Sequence, residues 1–337
     1  MKLVSFYRDE QDQLGFLFED KIYPLTDVNP GFPDNMELFL YAWDDVIEAA
    51  HDYYEKIKDG KVSHARPLDF TKEKILAPVP RPTSCRDGYA FRQHVEAARR
   101  NRNVEMIAEF DEYPIFYFTN HSSVQGPGDI ICMPDHFQKL DFELEASIVI
   151  CREGKNIRTE DADSYIGGFM IMNDMSARTL QMEEMKLNLG PAKGKDFSTV
   201  IGPMLVTIDE LEEFKIPAKA NHVGNNYNLD MKCWVNGKLV SQGNMGDMDW
   251  TFAELIERIS YGVKIHPGDV IGSGTVGTGC FLELNGTGKR LDPNYKEQWL
   301  QEGDVVEMEI SQLGHLKNTI VKDDDDFSLL AIKKSKA

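Results

Sequence analysis

KLDFELEASIVI, residues 139–150, is the segment around which the rest of the chain is organised, and it predicts a β-strand. Side chains alternate between the two faces of a strand, so Glu143 and Glu145 project together, away from the apolar side chains between and beside them. Two carboxylates held this close need a compensating cation. A lysine, an arginine or a hard metal ion such as Mg²⁺ or Ca²⁺ can supply the charge. This segment alone favours a structural ion pair or a solvated edge and leaves a metal site open.

The composition of the 337-residue chain is that of a globular protein. Hydrophobic residues make up 42% and charged residues 28%. No stretch approaches the roughly 20 apolar residues that span a bilayer, and the first ten residues lack the regions of a signal peptide, so we expect a cytoplasmic protein. The net charge of −19 disfavours nucleic acids and anionic membranes as partners.

The five cysteines are scattered and contain no C-x-x-C pair. This pattern predicts reduced, mostly buried thiols, and the spacing indicates neither a structural zinc site nor a catalytic cysteine. They are Cys85, Cys132, Cys151, Cys233 and Cys280.

A proline-rich link at residues 75–82 predicts a domain boundary. Residues 1–78 then form a small N-terminal domain of short strands and one helix over residues 36–57, and residues 79–337 form a catalytic, metal-binding domain. A helical stretch is predicted from Arg86 to Arg102. Further along, the dipeptide Asn236-Gly237 predicts a β-hairpin, and a capping box at residues 251–254 predicts a helix.

Four carboxylates come from separate segments of the second domain. The apolar strand predicted at residues 164–173 delivers Asp174, which we expect to be exposed at its end. Together with Asp87, Glu143 and Glu145, it offers the oxygen ligands that Mg²⁺ or Ca²⁺ prefers.

Two other motifs are less specific. Residues 272–277 (GSGTVG) match a dinucleotide-binding pattern, which works only where a helix begins behind the loop. Residues 278–284 predict a strand or loop instead, so we favour a glycine-rich loop that faces an anionic ligand. A second E-x-E, Glu307 and Glu309, lies in a strand of alternating polarity and is expected to face water.

The order of these motifs resembles the fumarylacetoacetate hydrolase family over most of residues 79–322. The resemblance implies an α+β, β-rich fold with a mixed β-sheet or roll core and a small N-terminal β-containing domain, and it implies a homodimer. The motifs are Asp87-Gly88-Tyr89 with His94, the 140–145 segment, Asn173-Asp174-Met175-Ser176-Ala177-Arg178 with Gln181, residues 194–197 and residues 274–277.

The resemblance also implies roles for individual residues. A divalent ion, Mg²⁺ or Ca²⁺, would be held by Asp87, Glu143, Glu145 and Asp174. His94 would be the general base and Glu283 its orienting partner, with Lys195 and Gln181 as further catalytic residues. Tyr89, Tyr117 and Thr275 would bind the substrate.

The implied reaction is hydrolysis of a carbon–carbon bond in a β-diketo acid, with fumarylacetoacetate as the leading substrate. Acylpyruvate hydrolysis, oxaloacetate decarboxylation and isomerisation on the same site remain alternatives, as does a non-enzymatic, metal-stabilised binding protein. The family arginine that grips the substrate carboxylate has no unambiguous counterpart. Strict spacing from His94 reaches Asn103, with Arg99, Arg100 and Arg102 nearby.

Overall fold

The computed structural model describes residues 1–334. The strands are β1 (Lys2–Arg8), β2 (Gln11–Phe18), β3 (Lys21–Pro24), β4 (Leu68–Asp69), β5 (Lys74–Ile75), β6 (Ser84–Gly88), β7 (Phe116–Thr119), β8 (Val124–Gln125), β9 (Gly128–Cys132), β10 (Leu140–Asp141), β11 (Leu144–Ile150), β12 (Gly154–Lys155), β13 (Ile166–Asp174), β14 (Ser176–Ala177), β15 (Thr199–Val206), β16 (Lys215–Pro217), β17 (Asn225–Tyr227), β18 (Asp230–Val235), β19 (Lys238–Asn244), β20 (Lys264–Ile265), β21 (Asp269–Gly272), β22 (Val305–Ile310) and β23 (Gly314–Lys322). The α-helices are α1 (Leu25–Val28), α2 (Met36–Tyr41), α3 (Trp43–Lys58), α4 (Arg92–Asn101), α5 (Thr159–Ala162), α6 (Arg178–Met185), α7 (Phe252–Ser260) and α8 (Phe281–Leu291). Short 3₁₀ helices occupy Ala108–Asp111, His121–Ser123, Pro134–Gln138, Asp163–Tyr165, Ile208–Phe214 and Met245–Asp247.

A large mixed sheet forms the centre of the protein. Its strands follow the order β4-β3-β2-β1-β15-β13-β11-β21-β6-β7. A second sheet, in the order β19-β18-β22-β23-β9, packs beside it. Strands β11 and β13 are buried along their whole length, because their apolar side chains are covered on both faces. This architecture confirms the α+β, β-rich fold that the sequence predicts.

The N-terminal strands extend this central sheet. Strand β1 pairs with β15, where Lys2 lies opposite Val206. Core side chains of the first 78 residues pack in one cluster with Val149 and Met170 of β11 and β13. The sheet and part of the core therefore continue across residue 78, and the division of the chain at this point stays a prediction.

Several predicted elements differ in their bounds from those observed. The predicted strand at residues 139–150 is split into β10 and β11, with Phe142 and Glu143 between them. The predicted helix from Arg86 begins only at Arg92, because residues 84–88 pair with β21 and β7. The predicted helix over residues 36–57 is interrupted at Ala42. Residues 278–284, predicted to be strand or loop, contain the start of α8.

Other local predictions are confirmed. Strands β18 and β19 form the hairpin around Asn236-Gly237, and the Thr251–Glu254 capping box begins α7. All five cysteines are free and buried. Within residues 1–334, none of the helices is long and apolar enough to cross a membrane.

Candidate active site

A cavity of about 660 Å³ opens beside the central sheet. Nine of the eleven residues singled out from the sequence line it, namely Asp87, Tyr89, His94, Tyr117, Glu143, Gln181, Lys195, Thr275 and Glu283. The other two, Glu145 and Asp174, lie beneath its wall and are fully buried. The tertiary structure thus gathers residues from segments almost 200 positions apart around one space.

Three carboxylates converge at the wall of the cavity, and Asp87 is the one that lines it. Oxygen atoms of Asp87, Glu145 and Asp174 lie within 4.8 Å of one another. Asp174 and Glu145 come from the adjacent strands β13 and β11, while Asp87 reaches them from β6 across β21. It can do so because Gly272 of β21 lies opposite Asp87, and a Cβ atom at this position would collide with Asp87 Oδ1. Asp174 is fully buried, so the prediction that it is exposed at the end of its strand is wrong.

The electrostatics of this cluster fit a divalent cation. Burial raises the pKa of Asp87 to about 7, and neighbouring Asp174 adds to the effect. Burial, followed by the charge of Asp87, raises the pKa of Glu145 well above its usual value. Glu145 Oε2 and Asp174 Oδ1 are buried without a hydrogen-bond partner. Such an arrangement of oxygen donors suits Mg²⁺, Mn²⁺ or Ca²⁺.

Glu143 is held next to the cluster by two cations. Lys195 donates to Glu143 and, at 2.6 Å, to Asp174, while Arg178 lies 2.7 Å from the other Glu143 oxygen. Burial opposes the ionisation of Glu143, but Lys195 and Arg178 outweigh it and lower the pKa of this carboxyl to about 2. Glu143 is therefore ionised and adjacent to the three carboxylates, and its role as a fourth metal ligand stays a prediction.

His94 and Glu283 form a buried dyad that lines the same cavity. His94 lies on α4 and Glu283 on α8, two helices that pack together. The distance from His94 Nδ1 to Glu283 Oε2 is 2.7 Å, and the Thr278 N–H donates to the second Glu283 oxygen at 3.0 Å. This geometry fixes the imidazole ring and leaves its Nε2 atom for chemistry.

The remaining predicted residues surround this centre. Tyr117 donates its hydroxyl to Asp174, and Thr275 donates to Glu145 at 3.2 Å. The Tyr89 ring packs edge-on against His94, with 6.1 Å between ring centroids. Gln181 accepts a hydrogen bond from Arg178 at 3.1 Å. Among the three arginines considered for substrate binding, Arg102 lines the cavity.

Asp141 and Arg178 belong to the site, although the sequence interpretation gave them no role. Arg178 bonds Asp141 at 2.8–2.9 Å, and Asp141 accepts the N–H groups of Phe281 and Leu282 at the start of α8. The pair thereby connects Glu143 to the helix that carries Glu283. A sequence signal was present, because Asp141 and Arg178 both lie within the quoted motif segments, 140–145 and 173–178.

The same contacts occupy N–H groups that a nucleotide site at the glycine-rich loop would use. A helix does follow the loop, as a dinucleotide site requires, but it begins only at Phe281. Its first N–H groups are occupied by the Asp141 carboxylate and are not available to a phosphate. Within the loop, the Gly274 N–H donates to Asp87 at 3.0 Å. The second E-x-E lies elsewhere, with Glu307 close to His315 and Lys317.

Residues 83–321 match the sequence profile described as fumarylacetoacetate (FAA) hydrolase, C-terminal. The chain belongs to the fumarylacetoacetate hydrolase family. It is 31% identical over 330 residues to the mitochondrial oxaloacetate tautomerase of Xenopus laevis, and this alignment covers 95% of this chain and 90% of the relative. It is also 31% identical over 260 residues to the oxaloacetate tautomerase of Bacillus subtilis, or 74% of each chain.

Solved structures share the fold of this family member. The fumarylacetoacetate hydrolase from Exiguobacterium antarcticum superposes with a TM-score of 0.67 at 23% identity, covering 96% of this chain and 100% of the other. The maleylpyruvate hydrolase from Sphingobium sp. SYK-6, in complex with manganese (II) ion and pyruvate, superposes with a TM-score of 0.65 at 20% identity. That match covers 96% of this chain and 99% of the other.

Proposed function

We propose that this family member is a metal-dependent tautomerase that interconverts the keto and enol forms of oxaloacetate or a closely similar 2-oxo diacid. The observation that carries the proposal is the buried His94–Glu283 dyad, which lines one cavity together with Lys195 and with Asp87 of the carboxylate cluster. The similarity to an oxaloacetate tautomerase over 90% of the Xenopus relative favours isomerisation, one of the alternatives that the sequence left open, over fumarylacetoacetate hydrolysis.

His94 is the proton carrier in this proposal. With its Nδ1 atom bonded to Glu283, the Nε2 atom removes a proton from C3 of the keto acid. The electron pair of the C–H bond moves into the C2–C3 bond, and the C2 oxygen becomes an enolate. Glu283 stabilises the imidazolium that forms, and the imidazolium then gives the proton to the enolate oxygen, which yields the enol and restores neutral His94. The same steps in the opposite order return the keto form.

Positive charge stabilises the enolate. The Lys195 ammonium is fixed between Glu143 and Asp174, whose negative charges raise its pKa against the opposing effect of burial, so the lysine stays protonated. Asp87, Glu145 and Asp174 would hold a divalent cation, as the manganese in the maleylpyruvate hydrolase structure suggests for the shared fold. When bound, such an ion polarises the carbonyl and favours the enolate.

The experiment that tests the proposal compares reactions on one preparation of the protein with Mg²⁺, Mn²⁺ or Ca²⁺. Enol oxaloacetate is followed by its ultraviolet absorbance, pyruvate formation by a coupled dehydrogenase, and the hydrolysis of fumarylacetoacetate and an acylpyruvate by loss of their absorbance. We expect metal-dependent tautomerisation to be the fastest reaction and His94→Gln to abolish it. Faster hydrolysis or decarboxylation, or full tautomerase activity in His94→Gln, would overturn the proposal.

Two further proposals come from the sequence analysis, the first from the family resemblance and the second from the composition of the chain. We propose a homodimer, which light scattering on the purified protein tests. We also propose a cytoplasmic location, which a fluorescent fusion in the source cells tests.

A further inference from the structure

The fold brings a cysteine next to the catalytic dyad. One ligand atom each from His94, Glu143 and Cys280 lies within 4.8 Å of the other two, and all three residues are buried. His94 and Glu143 line the cavity, whereas Cys280 does not line it and has no exposed surface. A nitrogen, an oxygen and a sulfur donor thus surround one point next to the cavity.

This set of donors differs in chemical class from the carboxylate cluster. Three carboxylates select hard ions, whereas sulfur and imidazole nitrogen select softer ions, of which Zn²⁺ is the common tetrahedral case. His94 already has the second partner that zinc-bound histidines usually have, since its Nδ1 atom bonds the Glu283 carboxylate and leaves Nε2 as the ligand atom. Three protein ligands leave a fourth position for water or substrate.

The local charge also accommodates a second cation. Six buried carboxylates surround the site, and they are Asp87, Asp141, Glu143, Glu145, Asp174 and Glu283. The buried cations among them are Lys195 and Arg178, so one divalent ion at the carboxylate cluster still leaves an excess of negative charge. Each Glu143 oxygen bonds one of these cations, which leaves further lone pairs on the carboxylate for an ion.

We propose that His94, Glu143 and Cys280 form a second cation site that prefers Zn²⁺ to Mg²⁺, and that Zn²⁺ bound there inhibits the enzyme. The Cys280 thiol releases its proton to solvent as the sulfur–zinc bond forms. The ion takes the Nε2 lone pair with which His94 accepts a substrate proton. Binding is independent of the reaction that the enzyme catalyses, whereas the inhibition rests on the proposed function, which uses His94 as the base.

Cobalt absorption spectroscopy tests the binding. Co²⁺ is titrated under reducing conditions into Mg²⁺-saturated protein, and a thiolate-to-cobalt band in the near ultraviolet reports a sulfur ligand. Cys280→Ser removes the thiol at the N-cap of α8, where serine is a favourable residue, so the fold should be retained. Cys233→Ser is the matched control, because Cys233 is equally buried but outside the cavity.

We expect the band in the wild type and in Cys233→Ser, its loss in Cys280→Ser, and its displacement by one equivalent of Zn²⁺. Tautomerase activity should become at least about tenfold less sensitive to Zn²⁺ in Cys280→Ser than in the control, which corresponds to about 1.4 kcal/mol of lost binding. X-ray absorption of the wild-type zinc form should show one sulfur at about 2.3 Å.

Absence of that sulfur, or an unchanged cobalt band in Cys280→Ser, would overturn the site irrespective of activity. If Cys280→Ser does not fold, the X-ray absorption measurement on the wild-type protein still shows whether a sulfur atom binds the zinc ion. A Cys280-dependent band without zinc inhibition would overturn only the inhibitory role. A protein that binds cobalt through Cys280 but does not tautomerise oxaloacetate would refute the proposed function and leave the cation site in place.

Discussion

Replacing Asp141 with alanine tests whether this residue positions the catalytic dyad. Asp141 is fully buried, and its carboxylate accepts the N–H groups of Phe281 and Leu282 at 2.7 and 2.9 Å and bonds the Arg178 guanidinium. Because Glu283 follows directly in α8, loss of these bonds releases the first turn of the helix on which His94 depends. The substitution should therefore impair both stability and turnover.

The expected magnitude follows from the contacts that are lost. Removal of one partner of a buried ion pair costs about 3–5 kcal/mol. Because Arg178 keeps its bonds to Glu143 and Gln181, we expect the free energy of unfolding to fall by about 3 kcal/mol, the lower end of this range. A misplaced Glu283 should lower kcat at least about tenfold, or about 1.4 kcal/mol in the activation barrier, with little change in KM.

The assay combines urea unfolding with the pH dependence of kcat. Asp269→Ala is the matched control, because Asp269 is a buried aspartate that also bonds an arginine, Arg86, and lies outside the cavity. We expect similar losses of stability in both variants, but a lower kcat and an altered pH profile only in Asp141→Ala. Equal kcat values and superimposable pH profiles in the two variants would refute the positioning role.

Three further predictions concern the metal cluster and the dyad. In metal-free protein, the folded state holds the Asp87 proton more tightly than the unfolded state does, since burial raises the pKa from 3.8 to about 7. The protonated Asp87 therefore contributes on the order of 4 kcal/mol to the free energy of unfolding below pH 4, and this contribution is lost as the pH rises towards 7. In urea unfolding with a chelator, Asp87→Asn should reduce the dependence of the free energy of unfolding on pH. An unchanged pH dependence would contradict the raised pKa of Asp87. Gly272→Ala should reduce the rise in Tm that Mn²⁺ produces, because the added methyl group meets Asp87 Oδ1; a rise equal to that of the wild type would show that Asp87 does not bind the ion. Glu283→Gln should lower kcat more than about tenfold and change its pH profile, because an amide does not stabilise the imidazolium of His94, whereas unchanged kinetics would remove Glu283 from the mechanism.

Local sequence patterns predicted the elements whose causes are local. The Asn236-Gly237 turn and the Thr251–Glu254 capping box each lie within a few residues, and both are confirmed. The alternation around Glu145 and the apolar run before Asp174 predicted two carboxylate-bearing strands, and the structure pairs them as β11 and β13. The start of α8 was missed because it depends on Asp141, which lies 140 positions before Phe281 and occupies the N–H groups there.

The sequence by itself determined the fold class, the family and the residue types that gather around the cavity, because strand periodicity and motif order are properties of the linear chain. Only the tertiary structure decided how the charges of residues 139–150 are balanced. Strand order places Asp87 and Asp174 beside Glu145, while Lys195 and Arg178 hold Glu143. Charge balance in a buried site depends on distances across the sheet, and a linear pattern does not contain those distances.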